Sequence, residues 1–112
     1  MATERRGAIE KRIQLLKQRL AGIGNMRPGT LGVQYRNPAE QKTPFHQISY
    51  THKGRSRSEY VRPENLPRVR QEIETYKRFK AILTELLDLS IQASRIRCGT
   101  RPVPRNAITK TT

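Results

Sequence analysis

The chain has 112 residues, of which 34% are hydrophobic and 5% aromatic, so it has room for one domain with a thin core. Lys and Arg number 23 against 9 Asp and Glu, and this formal net charge of +14 favours a polyanionic partner such as nucleic acid. No apolar run reaches the roughly 18 residues of a membrane-spanning helix, and no signal-peptide core is present, so we expect a cytoplasmic protein without a membrane partner.

The first predicted element is a helix from Thr3 to Ala21. Its apolar residues recur at alternating four- and three-residue steps, which is the spacing of a helix that packs against another helix. Gly22 and Gly24 follow, and glycine readily takes the left-handed conformation that ends helices. The helix is therefore predicted to stop near Ala21.

Three strands are predicted next. Thr30–Tyr35 alternates apolar and polar residues, and residues 36–44, which include two prolines, are predicted to form an exposed loop. Phe45–His52 and Arg55–Arg62 flank Lys53-Gly54, a spacing that favours a tight hairpin. We expect a three-stranded antiparallel sheet with a helix on its better side, because neither face is strongly apolar.

A long amphipathic helix is predicted from Leu66 to Arg97, because apolar residues recur there at three- and four-residue steps. It would be roughly 45 Å long, at about 1.5 Å per residue, so its apolar side must be covered by another part of the chain or by a second copy. We expect the first helix to pair antiparallel with part of it, as in a coiled coil, and the part around Leu83 to Ile96 to pair with a second copy. The predicted fold class is α+β, with one helix–sheet–helix domain over residues 1–98 and a disordered basic tail over 99–112.

The excess of positive charge is smallest on the long helix. Residues 63–98 carry seven basic and five acidic side chains, whereas residues 24–62 carry seven and two. Within the second segment, the densest basic group lies around the predicted hairpin turn: His52, Lys53, Arg55 and Arg57. Arg forms forked hydrogen bonds to phosphate, so this tip is the first candidate nucleic-acid site; a merely soluble turn is the alternative.

A second candidate site lies on the first helix. It consists of four basic residues: Arg5, Arg6, Lys11 and Arg12. On a helix this short they could equally be its solvated face, and the two interpretations carry equal weight.

Residues suited to catalysis or metal binding are few. The two histidines have no third partner for a zinc site, and Cys98 is the single cysteine, so we expect no metal, no cofactor and no catalytic residue. A small ribonuclease-like toxin would share the size and charge, but would need an acid–base set around His46 or Glu59 that the sequence does not provide convincingly.

The sequence also resembles a known family. The similar segments are Gly29-Thr30-Leu31, Tyr35-Arg36, Phe45–Tyr50, Lys53–Val61 and Tyr76–Lys80. They are similar to a family of short basic bacterial proteins catalogued as a domain of unknown function and often encoded near transposases or integrases. Members usually carry a cysteine-rich knuckle between the first strand and the hairpin. This chain has no cysteine there, so the metal site that the resemblance implies is not expected.

Two hypotheses follow from these patterns. The leading one is a non-enzymatic accessory protein that binds the phosphates of DNA or RNA, with a link to a mobile element implied by the resemblance. The alternative is a coiled-coil adaptor or homodimer whose charge recruits an acidic protein partner.

Overall fold

The computed structural model describes residues 2–37, 39–40, 42–101 and 103–104. In chain order the elements are helix α1 (Ala2–Ala21), strands β1 (Thr30–Asn37), β2 (Lys42–His52) and β3 (Arg55–Val61), a 3-10 turn (Pro63–Asn65) and helix α2 (Leu66–Cys98). The α+β class and the order along the chain, with the sheet between the two helices in sequence, are confirmed.

The chain divides into two compact units. One is Gly22–Ala81, and the other combines Met1–Ala21 with Ile82–Thr112. We call them the sheet unit and the helix unit. The single domain over residues 1–98 stays a prediction, and most of the predicted tail, Pro102 and residues 105–112, lies outside the described residues.

The three strands form an antiparallel sheet in the order β1-β2-β3. The turn between β2 and β3 consists of Lys53 and Gly54, whose φ angles are 52° and 77°. Two successive residues with positive φ define the type I′ turn, whose twist matches that of the flanking strands. The predicted tight hairpin is therefore confirmed.

The loop predicted over residues 36–44 is wrong at both ends. β1 continues to Asn37 and β2 begins at Lys42, and these two residues pair. Pro44 lies within β2, opposite Tyr35. β3 ends at Val61, opposite His46, so β2 has no β3 neighbour at Pro44 and a missing backbone N–H is tolerated on that side.

The core of the sheet unit lies between one face of the sheet and the first part of α2. Ile48 and Val61 from the sheet are buried with Val69 and Ile73 from the helix. Leu31 and Leu66 pack against this cluster. The expectation that a helix covers one side of the sheet is thus confirmed. We call this side, which includes Ile48, the core face.

The helix unit has its own apolar cluster. Ile9 and Ile13 of α1 are buried with Ala93 of α2, and three further α2 residues pack against them: Leu86, Leu89 and Ile96. The segment expected to be free for a second copy is therefore covered in part by α1. Leu87 and Ile91 remain 55% and 50% exposed. The antiparallel direction of the helix pair stays a prediction.

Candidate nucleic-acid interface

The four basic residues predicted at the hairpin lie around one turn, and all are exposed; we call His52, Lys53, Arg55 and Arg57 the tip cluster. His52 pairs with Arg55, and Tyr50 pairs with Arg57. Directly opposed residues of an antiparallel pair share a face, so His52, Arg55 and Arg57 project on one side with Tyr50. Together with Lys53 they line an open recess of about 500 Å³.

A fifth basic residue, Arg27, lies beside Tyr50 on the same sheet unit. Its backbone N–H donates to the carbonyl oxygen of Glu72 over 3.1 Å, which attaches the segment before β1 to α2. Its guanidinium donates to Oε1 of Glu59 and lies 5.2 Å from the ring centroid of Tyr50. The Tyr50 hydroxyl donates to Oε2 of Glu59 over 2.6 Å. Both carboxylate oxygens of Glu59 are therefore occupied by donors.

This network shifts the pKa of each of its members. Hydrogen bonds from Tyr50 and then from Arg27 lower the pKa of Glu59, because both stabilise the charged carboxylate. The same bonds raise the pKa of Tyr50 and of Arg27, whose protons they hold. Glu59 is thus ionised at neutral pH and is held by Arg27 and Tyr50. These contacts argue against Glu59 as a general base.

The four basic residues predicted on α1 do not form one patch. At about 100° per residue, Arg6 and Lys11 project from the helix about 140° apart. Arg6 donates to Glu10 over 3.1 Å. Arg12 makes a forked pair with Glu85, with N–O distances of 2.7 and 3.0 Å. That pair raises the pKa of Arg12 and lowers the pKa of Glu85 through the same hydrogen bonds. Arg5 and Lys11 are the exposed members without an ion pair in the described part of the chain.

The sequence pattern did not indicate Arg27 as a site residue. It lies in a group of turn-forming residues, Asn25 to Gly29, and its partner Glu59 is 32 positions away. No local signal connects the two. Only the sheet register brings Glu59 and Tyr50 to one face, where Arg27 can reach both.

The described residues contain no group of three or more His, Cys, Asp or Glu side chains that could hold a metal ion. Cys98 is a free, exposed thiol at the end of α2. Within the same described ranges, neither helix is apolar enough over a sufficient length to cross a membrane.

The chain was compared with protein families, curated proteins and solved structures. The model of one family, described as a domain of unknown function (DUF6788), matches residues 7–71. That range includes most of α1, the whole sheet and the start of α2. No curated protein matches. No solved structure matches either. Because the match covers more than half of the chain, this protein belongs to the DUF6788 family.

Proposed function

We propose that this protein is a non-enzymatic accessory protein that binds the phosphates of DNA or RNA through the tip cluster. The proposal rests on which charged side chains around the hairpin are exposed and which are already paired. Four basic side chains are exposed at one turn, while the carboxylate of that strand pair, Glu59, is already held by Arg27 and Tyr50. The basic side chains of the tip cluster therefore face solvent, and Glu59, the one acid in the sequences of β2 and β3, is engaged by Arg27 and Tyr50.

The chemistry of the tip suits a phosphate backbone. Arg55 and Arg57 can each offer a forked pair of N–H donors to phosphate oxygens, and Lys53 adds a point charge at the apex of the turn. Lys53 lies in the type I′ turn and the two arginines lie in the paired strand β3, so their backbone is already ordered, which reduces the entropy lost on binding. Contacts of this kind fix position and do not read base sequence.

The cellular context is also part of the proposal. The resemblance to proteins encoded near transposases or integrases supports a role beside a mobile element, and the charge supports an encounter with nucleic acid in the cytoplasm. Detecting this protein in complexes purified with such an element's nucleic acid would support this context, and its consistent absence would contradict it.

Salt dependence tests the phosphate contacts. We expect the logarithm of the affinity for a labelled duplex or RNA to fall linearly with the logarithm of salt concentration. A triple variant, Lys53→Asn, Arg55→Gln and Arg57→Gln, should reduce that slope by about 2 to 3, since each lost phosphate contact removes about 0.7 to 0.9. Asn at position 53 preserves the turn because it tolerates positive φ.

A matched control separates a local site from general charge. Lys77→Gln, Lys80→Gln and Arg95→Gln on α2 lower the net charge from +14 to +11, as the tip variant does. We expect this control to keep nearly the original slope. Equal losses in both variants would show that the tip is not the site, and no binding to either probe at low salt would refute the proposed function.

A second candidate function is self-association or an adaptor role through α2. The observation that favours it is the exposure of Leu87 and Ile91, which are four residues apart and so lie on one side of the helix. Leu87→Glu should then dissociate a dimer, whereas Gln71→Glu, which adds the same charge at an exposed polar position about 160° around α2 from Leu87, should not. A strictly monomeric protein at high concentration in light scattering would contradict this candidate. Capture of an acidic protein by the monomer would point to the adaptor.

A further inference from the structure

The side of the sheet opposite the core face is exposed and is not used by the tip cluster. Successive residues of a strand point to opposite faces of the sheet. Ile48 is on the core face, so its neighbours Gln47 and Ser49, and every second residue from them, lie on the opposite side. We call this side the open face, and its residues are Thr30, Gly32 and Gln34 on β1, Phe45, Gln47, Ser49 and Thr51 on β2, and Ser56, Ser58 and Tyr60 on β3.

Hydroxyl groups cover the end of the open face nearest the hairpin turn. The hydroxyls of Ser49 and Ser58 lie 3.0 Å apart across the strands, and those of Thr51 and Ser56 also lie 3.0 Å apart. Each pair contains two O–H hydrogens and uses one in its mutual hydrogen bond. One donor per pair thus remains for an acceptor on a ligand.

Two aromatic rings occupy the other end of the open face. The centroids of Phe45 and Tyr60 are 6.3 Å apart, with their planes inclined by 53°. Tyr60 is 58% exposed, although burial of an aromatic ring is normally favourable. An exposed ring on a sheet face, supported by a second ring, is a surface on which another planar ring can stack.

Among the described strand residues that alternation places on the open face, none is acidic. The single acidic residue in the three strand sequences is Glu59, and its register partner Ile48 places it on the core face. Arg36 lies two positions after Gln34 on β1, and Arg62 follows β3 with extended backbone, so alternation puts both on the side of the aromatic rings. Continued by one step, the β2–β3 register sets Arg62 opposite Phe45. Both arginines are exposed.

We propose that the open face is a stacking platform for unpaired bases, so that the nucleic acid bound by this protein is single-stranded. The proposal rests on the proposed function and names its ligand class. Tyr60 and Phe45 offer ring faces to bases, the free hydroxyl donors reach base or phosphate acceptors, and Arg36 and Arg62 hold the backbone. In a duplex the base faces are hidden by stacking, so Tyr60 and Phe45 have no base face to stack on, and only the contacts to the backbone remain.

Three oligonucleotide probes of equal length test the platform: an unstructured single strand, the same backbone without bases, and a duplex. We expect the wild-type protein to bind the base-bearing strand most tightly. Tyr60→Ala should weaken that binding about 5- to 150-fold, the range for loss of one stacked base, and should leave the salt slope unchanged because no phosphate contact is lost. Tyr60→Phe keeps the ring and should bind like the wild type.

An optical measurement reports the stacking directly. The sequence contains no tryptophan, so Tyr60→Trp introduces a single indole on the open face. Its fluorescence should be quenched by the base-bearing strand and should stay unchanged with the abasic backbone. Circular dichroism of each variant establishes that the fold is retained.

The outcomes separate the two proposals. If no probe binds at low salt, the proposed function fails and the platform fails with it. If all probes bind but the abasic backbone equals the base-bearing strand and Tyr60→Ala has no effect, only the platform is refuted. If Tyr60→Ala turns a self-associated protein into a monomer without changing probe affinity, the open face is an interface between copies and the platform is likewise refuted.

Discussion

Replacing Gly29 by alanine should strongly destabilise the sheet unit. Gly29 precedes β1 with a φ of 147°, a conformation that residues with a side chain rarely adopt. A Cβ atom there would lie 2.5 Å from Cγ1 and 2.7 Å from Cδ1 of Ile48, and 3.2 Å from the carbonyl oxygen of Ser49. Ile48 is fully buried in the core cluster, so moving its side chain away from the added Cβ would disturb its packing with Val61, Val69 and Ile73.

The size of the effect follows from two contributions. Holding a non-glycine residue at such a φ costs about 1–3 kcal/mol. Overpacking a buried site costs about another 1–3 kcal/mol, because neighbouring side chains are forced from their rotamers. We therefore expect Gly29→Ala to lower the free energy of unfolding by about 2–6 kcal/mol, a large part of the 5–15 kcal/mol typical of a small domain.

Urea unfolding followed by circular dichroism measures this loss, and Gly32→Ala is the matched control. Gly32 lies three residues later, within β1, and does not have a positive φ; a Cβ atom there meets nothing within 4 Å. Its replacement should leave the free energy of unfolding unchanged or raise it by about 0.4–1 kcal/mol, since alanine restricts the unfolded chain. If the free energy of unfolding of Gly29→Ala is within about 1 kcal/mol of the wild-type value, the loss is typical of any point mutation. In that case the close contact with Ile48 is not the reason why position 29 requires glycine.

Three further predictions concern the core and the two ion-pair networks. Ile48→Ala should lower the free energy of unfolding by about 2–5 kcal/mol in the same urea assay, because it opens a cavity under the sheet; a smaller loss would mean that the site collapses. Glu85 has a lowered pKa, so its pair with Arg12 contributes stability above the ordinary glutamate pKa and loses it as the pH falls through the folded-state pKa. Glu85→Gln should therefore lose less thermal stability than the wild type between pH 6 and pH 3, and equal losses would contradict the pair's role. Glu59→Gln should raise nucleic-acid affinity and increase the salt slope by up to about 0.9, as Arg27 becomes available to a phosphate; an unchanged slope would show that Arg27 stays outside the interface.

The fold could be predicted where the signal is local. Apolar spacing predicts a helix over Leu66 to Arg97, and α2 extends over Leu66–Cys98, because such spacing over many turns leaves no competing conformation. The hairpin turn follows from Lys53-Gly54 alone. The strand ends around Pro44 could not be predicted, because a proline is compatible with β2 only where β3 has already ended. That condition depends on register, which no short segment encodes.

For the candidate interface too, the residues that are close in sequence could be predicted, whereas those brought together by the fold could not. The four residues of the tip cluster lie close together in the sequence, so this group can be recognised from the sequence alone. The partnership of Arg27 with Glu59 and Tyr50 is not, because three separate segments meet there. The open face is an intermediate case, since strand alternation puts Ser56, Ser58 and Tyr60 on one side without deciding which side α2 covers. The burial of Ile48 and Val61 decides that, and it leaves the opposite face to solvent.

The ion pairs also bear on where a polyanion can bind. Several carboxylates are engaged in ion pairs with cations: Glu10, Glu59, Glu74 and Glu85 hold Arg6, Arg27, Lys77 and Arg12, respectively. None of these cations belongs to the tip cluster or the open face. A phosphate that binds to Arg12 must first displace Glu85, whereas one that binds to Arg55 or Arg57 displaces only counterions. Binding at Arg55 and Arg57 therefore retains the gain of counterion release, and we expect it to be favoured over binding at Arg6 or Arg12 of α1, whose cations are already paired.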